Sequence, residues 1–341
     1  MKTDRFDKML DQARLNLDIV ILPAAFILVV ILMTISTSFK FLTYGNISSI
    51  LLQLPELGLF TLAMMLAMTV GGINLSIIST ANLAGVIMAW LMVNVISPEA
   101  SGASLTLQLL FVVMAGLLIS LLLGAVNGIL IAYVEVSPTL ATLSTMILYE
   151  GLTLAITKGK VISGLPQPFV GLGNGSLLGI PKPFYIFVAA AFFIRVMIKK
   201  TSIGKYQIMI GSNKKAMTFS GINTRKVLMQ AYMVSSLLSG LAGVIMISRY
   251  NSANARFGTS YLLLAVLTSV LGGTDPNGGY VRVGGVIAAL FTIQALNSGI
   301  NILGVSSFVS TMIWGVLLVA IIIYRQGVAR YKEKYLSRLV K

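Results

Sequence analysis

The chain has 341 residues, 57% hydrophobic and 10% charged, with a mean hydropathy of +0.92, and this composition excludes an ordinary soluble domain. It contains no Cys and no His, which excludes disulfides, Cys-ligated metal, a thiol nucleophile and the usual general base at neutral pH. The net charge of +15 is also a feature of proteins that bind nucleic acid. Most basic residues instead flank apolar runs, which is typical of cytoplasmic loops, so no nucleic-acid partner is predicted.

Apolar runs long enough to cross about 30 Å of hydrocarbon recur along the whole chain and predict an all-α polytopic membrane protein. Ser260–Gly272 is short for a full crossing, so it is expected to tilt, to borrow flanking residues or to be partly re-entrant. The ten predicted spans lie at about Val20–Ser36, Ile47–Val70, Leu75–Ile96, Leu105–Val134, Pro138–Thr157, Phe184–Ile198, Val227–Ser248, Ser260–Gly272, Val283–Leu303 and Phe308–Tyr324.

The distribution of Lys and Arg predicts the orientation. Four basic residues precede the first span, eight lie in Arg195–Lys226 and six follow the last span, together 18 of the 25 in the chain. Six crossings followed by four more place all three segments on one side, which the excess of basic residues identifies as the cytoplasm. We therefore predict a single transmembrane domain over 1–341, with a cytoplasmic N-terminal segment (1–19), a cytoplasmic loop (195–226) and a cytoplasmic tail (325–341). The first span is interpreted as a retained helix, not a signal peptide.

Helix breakers and a weak repeat suggest a transporter. Pro55, Gly71–Gly72 and Asn127–Gly128 interrupt apolar runs, and broken helices in transporters often line the substrate path. Ordinary helix ends and close packing through small residues are the alternative, and for any single break they are the better explanation. An Asn/Gly pair followed by a Val-Ser step occurs twice, at Asn127–Thr139 and at Asn297–Phe308. This repeated pattern predicts two pseudo-repeated halves with broken helices.

No enzyme signature is present in the sequence. The chain has no G-x-x-x-x-G-K-[ST] motif for nucleotide phosphates and lacks the residues of the usual catalytic triads, so no enzymatic activity and no cofactor are predicted. Glu56 and Glu150 are the acids within apolar runs, and an intramembrane acid is a candidate proton or cation site. An ion- or proton-coupled secondary transporter therefore stays an alternative.

The basic stretch Arg195–Lys226 contains turn-forming glycines and a possible short helix at Asn213–Phe219. A compact cytoplasmic helix between two halves of a transporter suits docking into a groove of a partner. A positively charged loop that only fixes the topology is an equal alternative on physical grounds.

Several motifs in order resemble one family. They are GGINLS (Gly71–Ser76), Asn127-Gly128, SPTLATL (Ser137–Leu143), Glu150-Gly151, TSIGK (Thr201–Lys205), GSNKKA (Gly211–Ala216), SGIN (Ser220–Asn223), LAG (Leu241–Gly243) and LGGTDPNGG (Leu271–Gly279). From about Ile47 to Tyr324 the chain resembles the ribose-type permeases of bacterial ABC importers, which depend on a binding protein.

The resemblance implies an inner-membrane permease that works as a dimer with a second copy or a paralogue. It also implies a cytoplasmic ATP-binding subunit that carries the ATP, and a periplasmic or lipid-anchored solute-binding protein. Within this interpretation, Gly211–Ile222 forms the coupling helix. The residues expected to couple to the ATPase are Gly204, Gly211, Asn213, Ala216, Ser220, Gly221 and Ile222.

Two departures from the family pattern stand out. The family usually has Asp at the position of Asn74, and an amide keeps the hydrogen-bonding ability without the charge. The segment TDPNGGYVR lacks the small apolar pair that relatives often have before the second glycine pair. Both changes are consistent with a specialised subunit that pairs with a different permease.

The predicted function is the translocation of a sugar-like solute by alternating access, powered by a separate ATPase. Neutral hydrogen-bonding side chains suit a polyhydroxylated neutral solute, and ribose-like sugars, a furanose-like signalling molecule and nucleosides all remain possible. Close helix packing is the alternative role for each such side chain. The candidates for the translocation path are Asn74, Ser76, Asn127, Thr139, Thr142, Asn297 and Asn301. On the solute side, Lys158, Lys160, Lys182, Arg249 and Arg256 are candidates for pairing with acidic residues of a binding protein.

Overall fold

The computed structural model describes residues 22–97, 101–306, 308–321 and 323. The N-terminal segment (1–19) and the tail (325–341) lie outside these residues. The prediction that both termini are cytoplasmic concerns those two segments and so also lies outside the described residues.

The described chain is built almost entirely from α-helices, with one 3-10 turn at Lys40–Leu42. The helices are α1 (Leu22–Ser36), α2 (Tyr44–Thr69), α3 (Ile77–Asn94), α4 (Gly102–Ala132), α5 (Pro138–Thr157), α6 (Gln167–Asn174), α7 (Lys182–Lys200), α8 (Ser202–Phe219), α9 (Thr224–Tyr250), α10 (Thr259–Leu271), α11 (Val283–Ile302) and α12 (Phe308–Ile321).

Within the described residues, each predicted span coincides with a helix, but the helices differ in length. Six of those in the described residues, α2, α3, α4, α5, α9 and α11, are long and apolar enough to cross a membrane. Three are shorter apolar helices, α1, α10 and α12. The remaining predicted span coincides with α7, which carries Lys or Arg near both ends. The structure therefore confirms an all-α polytopic membrane protein, while the count of ten crossings and the repeat of two halves stay predictions.

The predicted breaks are only partly present. The chain leaves α2 after Thr69 and starts α3 at Ile77, so Gly71–Gly72 does end a helix. Pro55 and Asn127–Gly128, in contrast, lie inside the continuous helices α2 and α4. Neighbouring helices can satisfy the backbone groups that a proline frees, and α2 is buried without interruption from Leu54 to Thr69.

The core is organised around α2 and α9. Helix α2 packs against α7, α9, α10 and α11, and α9 also packs against α3 and α4. Small residues allow this close approach: Gly240 of α9 lies against Ser120 of α4, and Gly243 lies against the backbone of Ala81 in α3. Such contacts between small residues are the usual packing of helices in membranes. Both helices therefore lie at the centre of the helix packing.

A small cap covers the C-terminal end of α9. Strands β1 (Ile162–Ser163) and β4 (Ser252–Ala253) pair antiparallel, and so do β2 (Ser176–Leu177) and β3 (Ile180–Pro181). Helix α6 packs on α9, where Gly173 contacts the backbone at Ser248 and Arg249. By the predicted orientation, this cap lies on the solute side of the membrane.

Candidate functional site

A chain of buried polar side chains joins five helices near the start of α3. The Thr145 hydroxyl donates to Asn127 Oδ1 at 2.6 Å, and Asn127 Nδ2 donates to Ser76 Oγ at 2.8 Å. The Ser76 hydroxyl donates to Asn74 Oδ1 at 2.8 Å, and Asn74 Nδ2 donates to Ser235 Oγ at 3.0 Å. Ser235 completes the chain by donating to the carbonyl of Ala63 at 2.8 Å.

Every donor in this chain points in the same direction, so Asn74 has to accept at one end and donate at the other. A carboxylate accepts only, and it could not donate to the Ser235 hydroxyl. Asn74 Oδ1 also accepts from the backbone N–H of Ser76 at 3.1 Å, next to the first turn of α3. The amide at this position therefore fits its buried surroundings without any charge.

The seven predicted path residues fall into three places. Asn74, Ser76, Asn127 and Thr142 are fully buried, and the Thr142 hydroxyl lies 2.9 Å from the carbonyl of Ile73. Thr139 is exposed in the first turn of α5. Asn297 is half-buried and Asn301 is exposed, both near the C-terminal end of α11. The structure thus brings four of the seven together and leaves three apart, and their role in a path stays a prediction.

A second buried polar group surrounds Glu56 in the middle of α2. Arg249 Nη1 lies 2.8 Å from Glu56 Oε1, and the hydroxyls of Tyr250 and Tyr261 donate to Oε2 at 3.3 and 3.1 Å. The guanidinium also lies over the Tyr250 ring, 4.8 Å from its centroid. A buried charge is expected to be paired in this way.

These contacts correct one expectation. Arg249 is not a free solute-side cation, because it faces inward and pairs with Glu56. The sequence did not reveal this, since the two residues are 193 positions apart in separate helices. Glu150, the other acid considered, lies 3.5 Å from Arg256 in a far more exposed pair. Lys158, Lys160 and Lys182 are exposed.

The segment predicted to couple to an ATPase is a bent helix. Helix α8 runs from Ser202 to Phe219, but Asn213 has extended backbone angles that divide it in two. Asn213 Oδ1 accepts from the N–H of Ala216 at 3.0 Å and so caps the second, shorter helix. The predicted short helix at Asn213–Phe219 is thereby confirmed.

Glycines connect the first half of α8 to the rest of the protein. Gly204 lies against the backbone of Met197 and Ile198 in α7. Gly211 contacts the carbonyl of Thr69 at the end of α2 and the N–H of Gly279 in the connection before α11. Those two groups also form a hydrogen bond with each other, at 3.1 Å. Motifs that are far apart in sequence therefore meet at one contact point.

The second half of α8 ends at Ser220–Ile222. The Ser220 N–H donates to the carbonyl of Ala216 at 3.0 Å, and Gly221 adopts a φ of +76°, which glycine tolerates best. The Ile222 N–H then donates to the carbonyl of Met217 at 3.3 Å, and its side chain packs on a buried cluster that includes Val227. The short helix is thus closed at both ends.

Phe219 is a feature of this helix that the sequence analysis missed. Its side chain is 91% exposed at the tip of the segment, beside the exposed residues Lys214 and Lys215. The SGIN motif that follows it indicated only the turn. An aromatic residue in a polar, basic stretch could itself have indicated a contact site.

Known proteins resemble the chain along most of its length. Residues 46–323 match the family model described as the permease component of branched-chain amino acid transport systems. The chain belongs to this family. The ribose import permease of Bacillus subtilis is 36% identical over 304 residues, which is 88% of this chain and 90% of that protein. The ribose import permease of Haemophilus influenzae is 35% identical, covering 83% and 86% of the two chains. The D-allose transport permease of Escherichia coli is 29% identical, covering 82% and 83%.

This permease is therefore of the ribose type found in ABC importers, and it is a multi-pass protein of the bacterial inner membrane. Permeases are transport components and not enzymes. No solved structure matches the chain.

Proposed function

We propose that this permease carries a neutral sugar-like solute into the cell by alternating access, with ATP hydrolysed on a separate cytoplasmic subunit. The bent helix α8 carries this proposal, because it gives the ATPase a capped, exposed helix in contact with the central helix α2. ATP binding and hydrolysis in the partner would displace this helix, and the contact at Gly211 would pass the movement to α2.

The names of the relatives support a sugar as the solute, since two of those compared import ribose and one carries D-allose. Neutral amides and hydroxyls predominate among the buried polar side chains of the membrane helices. Such groups can bind a hydroxyl-rich solute without favouring an ion. A nucleoside and a furanose-like signalling molecule share this chemistry and are the other candidates.

The remaining partners follow from the same proposal. A periplasmic or lipid-anchored binding protein would deliver the solute, and Lys158, Lys160 and Lys182 offer it exposed positive charge. A second copy or a paralogue would complete the dimer. We propose the seven path residues as polar groups that become accessible when the helices rearrange, with Asn74, Ser76, Asn127 and Thr142 requiring that their mutual hydrogen bonds open.

The test is co-purification of the tagged permease from its native membrane, followed by an ATPase assay and uptake of labelled sugars. Phe219→Ala removes the exposed aromatic group at the tip of the short helix. We expect it to lose most of the co-purified ATPase while the permease stays folded. An aromatic anchor of this kind often dominates an interface.

The matched control is Leu178→Ala, which truncates an equally exposed side chain (92%) at the β2–β3 turn of the cap. It should keep the ATPase. A permease that purifies alone and transports sugar under an ion gradient without ATP would overturn the proposal. Uptake of nucleosides in preference to sugars would change the solute and leave the coupling intact.

A further inference from the structure

Five neutral amides and one hydroxyl lie along the contact between α2 and α11. Asn46 and Gln53 lie on α2, while Gln294, Asn297, Ser298 and Asn301 lie on α11. Spacings of three, four and seven residues place each set on one face of its helix. We call these six residues the amide seam.

Two hydrogen bonds join α2 to α11 along the seam. The Ser298 hydroxyl donates to Asn46 Oδ1 at 2.6 Å, and Gln294 Nε2 donates to Gln53 Oε1 at 3.3 Å. Among the described residues, no hydrogen bond engages the side chains of Asn297 and Asn301. Both therefore have free donors and acceptors next to paired amides.

Asn297 and Asn301 lie on a membrane helix, where an amide without a hydrogen-bond partner is costly. Asn297 is half-buried and Asn301 exposed, on a helix long and apolar enough to cross a bilayer. An amide that faces lipid without a partner is unfavourable by several kcal/mol. This face of α2 and α11 must therefore meet water, a solute or another protein surface.

The six seam residues carry no charge themselves, and the charged neighbours are Glu56 and the exposed Lys40 in the 3-10 turn that contacts both helices. Glu56 lies one turn beyond Gln53, but its carboxylate is paired with Arg249, which also lies 3.4 Å from the carbonyl of Leu52. The seam therefore presents amides that can donate and accept, and no unpaired charge. This pattern suits the hydroxyl groups of a neutral sugar and would not retain an ion.

We propose that the amide seam is the sugar-contacting wall of the solute-side half of the translocation path, with Asn297 and Asn301 as its binding groups. This inference rests on the proposed function. It adds Asn46, Gln53, Gln294 and Ser298 as residues that position the two free amides.

The absence of native Cys makes accessibility directly measurable. Asn297→Cys and Asn301→Cys are treated from the solute side with a membrane-impermeant thiol reagent, in the assembled transporter. The control is Leu118→Cys on α4, an exposed apolar position (57%) in the middle of a helix long and apolar enough to cross a membrane, where lipid should shield it. We expect both seam cysteines to react, Leu118→Cys to stay unmodified, and modification at Asn297→Cys to stop uptake without releasing the ATPase.

A second pair of variants tests the chemistry. Asn297→Leu should lower sugar uptake about tenfold, the effect expected for a lost hydrogen bond near 1.4 kcal/mol. Asn297→Gln, which keeps the amide, should retain most of the uptake. Asn94→Leu, at an exposed amide on α3, should have no effect.

Two results would contradict the proposed sugar-binding role of the amide seam without contradicting the proposed function. One is cross-linking of Asn301→Cys to its counterpart in the partner copy, with no reaction from the solute side, since the seam would then be a dimer contact. The other is unchanged uptake in Asn297→Leu. Loss of the ATPase from the wild-type complex would contradict the proposed function instead.

Discussion

Glu56 is paired with Arg249 within the membrane helices, and variants of the pair can tell a structural charge from a proton site. Glu56 is fully buried and Arg249 is 17% exposed, so removing one partner leaves a buried charge without compensation. Breaking a buried pair in this way costs about 3–5 kcal/mol, whereas an exposed pair is worth about 0–1 kcal/mol.

Glu56→Gln is therefore expected to lower the thermal unfolding midpoint of the purified permease substantially, measured by the fluorescence of Trp90 and Trp314. The double variant Glu56→Gln/Arg249→Met removes both charges and should recover most of the stability and the uptake. Glu150→Gln, which breaks the exposed pair with Arg256, is the control and should change little. An equally unstable double variant would contradict the pairing, and a stable double variant without uptake would favour a proton-coupled role.

For single residues, the sequence predicted what a side chain can bond to better than it predicted which residue is its partner. It predicted that Asn74 keeps hydrogen-bonding ability without charge, and the structure shows this amide donating and accepting at once. It did not predict that Ser235 is the acceptor, because 161 residues separate the two. Arg249 was predicted to pair with a binding protein for the same reason, since counting charges locates a residue along the chain and does not reveal its partner.

The helices themselves were largely predictable, because hydrophobic length is the dominant signal in a membrane protein. The exceptions depend on tertiary contacts. Pro55 and Asn127–Gly128 stay within continuous helices, since Gly128 packs against Met229 of α9 and α2 is surrounded by other helices. The cap with α6 and its two strand pairs was not predicted, because its segments are short and lack a hydrophobic period.

The contact between α8, α2 and the connection before α11 gives a prediction at the scale of elements. A methyl group at Gly211 would press on the carbonyl of Thr69 and the N–H of Gly279, which are hydrogen-bonded to each other. Gly211→Ala should therefore separate α8 from α2 and lower the sugar transported per ATP hydrolysed. The measurement is uptake and ATPase activity of the same reconstituted complex.

Gly151→Ala is the matched control, because this α5 glycine has no atom within 4 Å of an added methyl group. Replacing a helical glycine by Ala in open space should stabilise the protein by about 0.5–1 kcal/mol. Equal coupling ratios in both variants would show that the Gly211 contact does not transmit movement.

The orientation of the whole molecule depends on whether α7 crosses the membrane. Its 19 residues span about 28 Å, close to the thickness of the hydrocarbon core. It is absent from the six long apolar helices of the described chain, and Arg195, Lys199 and Lys200 lie near its end. Basic side chains at the end of a span can reach the cytoplasmic interface, so a crossing is compatible with these charges.

Single cysteines on either side of α7 test this crossing, and the lack of native Cys again makes the background clean. Leu178 lies before α7 in the cap and Lys215 lies after it in the short helix, and both are exposed. In intact cells whose outer membrane is permeable, an impermeant maleimide should label Leu178→Cys and leave Lys215→Cys unmodified until the inner membrane is opened. Labelling of both from outside would mean that α7 does not cross. The basic segment 195–226 would then lie on the solute side, and the ATPase could not reach Phe219.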